Sequence, residues 1–72
     1  MAVKDWRRIV GKNVRRLRKS RGLTQDRLAS KAKIDVTYVR GIEAGRYNPS
    51  LMIMARMTTA LSCKLTDLFR AV

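Results

Sequence analysis

Nine lysines and arginines crowd one early stretch of the chain: Lys4, Arg7, Arg8, Lys12, Arg15, Arg16, Arg18, Lys19 and Arg21. They belong to a set of 17 Lys+Arg facing only 5 Asp+Glu, a formal net charge of +12 in 72 residues. Such an excess repels itself in a folded chain. Unless it is only a solvated basic coat, it calls for a polyanionic partner, either nucleic acid or an anionic membrane surface. Other chemistry is poorly supplied. With no His and one Cys, a zinc site lacks ligands, and the usual nucleophilic and acid–base constellations lack members. No enzymatic activity, metal, cofactor or small-molecule substrate is expected. The lone Cys63 has no partner for an intrachain disulfide, which fits a reducing compartment.

After Val3 the chain runs KDWRR, where a secretory signal would carry an apolar run of about 7–15 residues. No stretch approaches the roughly 20 apolar residues of a membrane span. A cytoplasmic protein is therefore expected.

The cations must be positioned by helices. Trp6, Ile9, Val10, Val14 and Leu17 recur at three- and four-residue spacing, predicting a helix over residues 5–20 whose other faces are basic. A basic amphipathic helix also suits a membrane surface. Ser20-Arg21-Gly22 breaks the pattern, and Thr24 is a candidate N-cap for a short helix with Leu28, Ala29 and Ala32 inward. Beyond a tight turn at Lys33-Ile34, Asp35 can cap a third helix over 36–44. There Val39 and Ile42 share the inner side with Tyr38 at its edge, while Thr37, Arg40, Gly41 and Ala44 face outward. Glycine within a helix costs roughly 1 kcal/mol relative to alanine, so Gly41 calls for a reason.

Pro49-Ser50 signals a fourth helix. Its stripe is read as Leu51, Met54, Thr58 and Leu61, with Met52, Ile53 and Met57 as flexible filler. A short last helix, LTDLFRA, carries Leu65, Leu68 and Phe69. The expectation is an all-α single domain over residues 1–72, with two short helices at about 24–44 joined by a turn as a helix-turn-helix.

Three stretches then carry a resemblance: GLTQDRLASKA at 22–32, IDVTYVRGIEAGRYNPSL at 34–51 and ALSCKLTDLF at 60–69. In this order and spacing, LTQxxLA, YxxxIExG, PSL and ALxxxLxxLF resemble the phage-repressor and Cro-like (XRE-type) helix-turn-helix DNA-binding domains, though each alone is a weak signal. The resemblance implies a compact five-helix lambda-repressor-like domain in which residues 24–32 cross the DNA backbone and residues 36–44 enter the major groove. It sets Val36, Thr37 and Arg40 at base-reading positions. Arg40 either forks onto guanine O6 and N7 or grips a phosphate, while the methyls of Val36 and Thr37 suit a thymine methyl. Gly41, beside them, would permit close approach to DNA.

Gln25, with Thr24, matches a phosphate-binding helix start. Arg46, Tyr47 and Asn48 match a phosphate-holding loop, and Arg15 and Lys19 are the cations of the first helix expected to reach phosphates. Glu43, the chain's only Glu, is expected to pair with Arg18 as a structural ion pair. Three residues depart from the family pattern: Lys33 in the turn, Val36 at a position that is often polar, and Lys64 before the last helix.

These features predict a sequence-specific transcriptional regulator of bacterial or phage origin. It would bind a palindromic operator as a homodimer through Met52, Met57, Leu65 and Phe69, within about residues 50–70. TYVRGIE leans toward restriction–modification controllers, whose members often read TYISGIE. The alternatives are a non-specific architectural DNA binder and a basic amphipathic module for membrane or an acidic protein.

Overall fold

Short polar side chains set the helix starts. Thr24 Oγ1 accepts from the Arg27 amide at 3.1 Å, Asp35 Oδ1 from Thr37 at 2.7 Å, and Ser50 Oγ from Ile53 at 3.1 Å. Each satisfies a first-turn N–H that the helix itself cannot. In the computed structural model, which describes residues 5–71, these caps open α2 (Gln25–Ala32), α3 (Val36–Glu43) and α4 (Leu51–Leu61). They follow the basic α1 (Trp6–Ser20).

The expected fifth α-helix is instead a 3-10 helix, Leu65–Phe69. Its five residues are held from outside rather than by an α-helical ladder. Asn13, fully buried on α1, donates through Nδ2 to the carbonyls of Leu68 and Arg70, both at 2.8 Å. The Lys64 amide donates to Asp67 Oδ2 at 2.8 Å, supplying the cap that Lys64 itself does not.

The core draws on every element: Val10, Val14 and Leu17; Leu28, Ala29 and Ala32; Val39 and Ile42; Met57 and Leu61; and Leu68. α1 lies against α3 and the 3-10 helix, while α2 lies against α3 and α4. The α1–α3 approach depends on Gly11, which the sequence patterns did not single out. A Cβ there would run into the carbonyl oxygen of Ile42 and stand 3.1 Å from that of Glu43. Both are backbone atoms of α3, so neither can swing aside. Gly11→Ala should therefore destabilise the domain by about 1–3 kcal/mol, the scale of overpacking, even though alanine favours helix. A denaturant titration that found it equal to or more stable than the parent would contradict this packing.

In the fourth helix Met54, Thr58 and Leu61 keep the expected inward side, and two other positions depart from it. Leu51 is 62% exposed and Met52 67%, whereas Met57 is fully buried beside Leu61. Met57 therefore cannot contribute to a dimer surface, and its place in that set is corrected. Eight of the eleven residues in LMIMARMTTAL are Leu, Met, Ile or Ala, so hydrophobicity does not mark one face, and the fit against α2 decides which residues turn inward. Trp6 is likewise 45% exposed rather than a core residue, its ring meeting Phe69 edge to face at 5.9 Å.

Candidate nucleic-acid interface

α3 is positioned from both ends. Before it, Lys33 adopts the left-handed conformation (φ 58°, ψ 47°) that a glycine would hold without strain. The turn closes by Ile34 N–H donating to the Ala29 carbonyl at 3.0 Å, so lysine replaces glycine without altering the helix-turn-helix path. Asp35 then caps α3. Hydrogen bonds from Thr37 hold its carboxyl below the usual carboxylate value, and the Arg40 charge adds to this. A lowered value means that the capping contribution is present above the ordinary carboxylate range and is lost as pH falls through the folded value.

At the far end of α3, Arg18 Nε donates to Glu43 Oε2 at 2.7 Å and Nη2 to Oε1 at 3.1 Å, with 11% and 5% of the two side chains exposed. Arg18 Nη1 also donates to the Leu23 carbonyl at 2.8 Å. The pair expected from resemblance is thus a forked, nearly buried bridge. Gln25 joins it, its Nε2 donating to Glu43 Oε1 at 3.0 Å. One amide hydrogen is committed there and the second remains, so the first residue of α2 is aligned by the last residue of α3.

Thr37 and Arg40 are exposed on α3, with Val36 half-buried beside them. Gly41 is corrected. It is buried, and a Cβ on it would fall on the Tyr47 ring, at Cε2, Cδ2 and Cζ. The space expected to admit DNA is occupied by an aromatic side chain from the following loop. Tyr47 also meets Tyr38 edge to face, with centroids 5.3 Å apart and planes at 78°. Asp35, Thr37, Tyr38, Tyr47 and Asn48 together line a groove of about 440 Å³ on this side of the molecule.

Arg15, Lys19 and Arg46 are exposed, as is Thr24, whose Oγ1 is already the cap acceptor of α2. Arg21 has a different task. Its Nε donates to the Leu61 carbonyl at 2.9 Å, ending α4 where the helix dipole favours a cation. Cys63 packs partly buried against the core; burial, and then the charge of Asp67, push its thiol upward and keep it protonated and unreactive near neutrality. Sequence reasoning passed over Asn13 and Gly11, and it counted Arg21 only as a cation beside the first turn, not as a partner of α4. The only signal for Asn13 was a polar residue beside Val14 on the inward side of α1.

No group of three or more potential metal-ligating side chains occurs among the described residues. No helix among them is long and apolar enough to cross a membrane.

Comparison with known proteins gives a consistent answer. A family model described as helix-turn-helix matches residues 14–68. The chain is 33% identical over 64 residues to the uncharacterized HTH-type transcriptional regulator y4dJ of Sinorhizobium fredii, covering 89% of this chain and 83% of that protein. It is 40% identical over 57 residues to the immunity repressor protein of Bacillus phage phi105, covering 79% of this chain but 40% of the repressor. Among solved structures, the restriction-modification controller protein C.AhdI from Aeromonas hydrophila superposes with a TM-score of 0.85 at 36% identity, covering 88% of this chain and 96% of that one.

Proposed function

We propose that this chain, which belongs to the helix-turn-helix, XRE-type family of transcriptional regulators, binds a palindromic operator as a homodimer with α3 in the major groove. The observation that carries the reading is the exposed pair Thr37 and Arg40 on a short helix capped at one end and braced by a buried ion pair at the other. A rigid helix presenting a fork donor and a methyl-bearing hydroxyl is suited to base edges. Arg40 reads guanine, while Thr37 and the margin of Val36 meet thymine methyls. Thr24, Gln25, Arg15, Lys19, Arg46 and Asn48 hold phosphates, which fix register and carry the salt dependence.

Dimerisation is assigned to Met52, Leu65 and Phe69, joined by Leu51, all exposed apolar side chains. Two half-sites about one helical turn apart then multiply a short readout into a specific one. The similarity to C.AhdI and the phi105 repressor favours a controller or repressor setting.

Selection from random duplex DNA at about 150 mM salt tests the reading, because specific and purely electrostatic binding separate at that ionic strength. The expected product is a palindrome with half-sites about one turn apart. Retention of DNA without any motif would replace it with architectural binding.

A further inference from the structure

Positions 37 and 41 lie one turn apart on α3, so a side chain at 41 would stand next to Thr37 on the same face. Gly41 supplies none, and Tyr47 supplies one in its stead. The ring sits where the missing Cβ would project, braced from the side by Tyr38 at 5.3 Å, and it is still 42% exposed. It borders the groove that Thr37 and Asn48 also line. A hydroxyl used only to touch a phosphate requires reach, not a seat. A ring set into a notch of the helix surface and held on two sides has a fixed position, and its ordering is already complete before DNA arrives.

We propose that Tyr47 is a specificity-determining residue: carried by the loop but seated on Gly41, its ring replaces the absent recognition-helix side chain and packs against a thymine methyl in each half-site. The inference rests on the reading that α3 enters the major groove. It changes the role of Tyr47 from positioning on phosphate to reading a base. It also accounts for glycine at 41: any larger residue unseats the ring.

The test is selection from random duplex DNA with the parent, Gly41→Ala, Tyr47→Ala and the double variant, alongside thermal melts. Gly41→Ala retains the tyrosine and favours helix, so it keeps the fold while displacing the ring. The parent is expected to prefer thymine at one further position per half-site. Gly41→Ala and Tyr47→Ala should each weaken that preference by about tenfold, within the usual range for one base contact, and spare the rest of the motif. Because both remove the same contact, the double variant should discriminate no less than Tyr47→Ala alone. If the parent yields a motif and both single variants retain it in full, Tyr47 reads no base and this inference alone is overturned. If the parent yields no motif, the operator reading fails and takes this inference with it.

Discussion

Glu43→Ala should remove a large share of the domain's stability. The substitution leaves the Arg18 guanidinium 11% exposed, with its partner carboxylate gone and only the Leu23 carbonyl still accepting from it. Removing one member of a buried pair costs about 3–5 kcal/mol, because the remaining charge is desolvated without compensation. A domain of this size has on the order of 4–11 kcal/mol in total. The melting temperature should therefore fall by well over about 10 °C. Replacing both Arg18 and Glu43 with methionine should recover much of this loss, since two apolar side chains leave no buried charge behind. A thermal melt of Glu43→Ala within about 2 °C of the parent would show that water reaches the pair and that it does not brace α3. DNA binding should remain impaired in the double variant even where stability returns, because Gln25 loses the acceptor that orients it.

The residues that were legible in the sequence are those whose signal is local. Thr24 and Asp35 announce helix starts as candidate N-caps and Pro49-Ser50 as a start signal, and the side chains of Thr24, Asp35 and Ser50 each accept a first-turn amide. The stripe of Val10, Val14 and Leu17 is legible for the same reason: α1 is polar elsewhere, so its period stands out. α4 lacks that contrast, and Leu51 and Met57 exchanged roles because only the fit against neighbouring helices separates them. The 3-10 geometry of Leu65–Phe69 depends on Asn13, which is 55 residues away from Leu68 in the chain. No window along the sequence contains that bond.

The site divides in the same way. Outward placement of Thr37 and Arg40 follows from helix period, and the Arg18–Glu43 pair came from family resemblance rather than from spacing. Gly41 lies on the face that period assigns to it, but it is covered by a ring from beyond the end of its helix. Periodicity describes a helix as though it were alone. Gly11 failed to register for a related reason, because its partner is the backbone of α3, and backbone atoms leave no mark in a hydrophobic pattern.

Arg40→Ala is expected to produce the largest loss in operator binding. A good bidentate contact discriminates by about 1–3 kcal/mol, and a dimer makes it twice, so the loss should total about 2–6 kcal/mol. The fold should be unaffected, since Arg40 is exposed and its helix keeps both its cap and its buried brace. Two measurements distinguish reading from gripping. If Arg40 forks onto guanine, Arg40→Ala flattens the preference at one base pair per half-site, and Arg40→Lys flattens it nearly as much, because a lysine keeps the charge without the planar pair of donors. If Arg40 only holds a phosphate, the motif survives, affinity falls evenly across sequences, the salt slope drops by about one per contact, and lysine restores most of the binding.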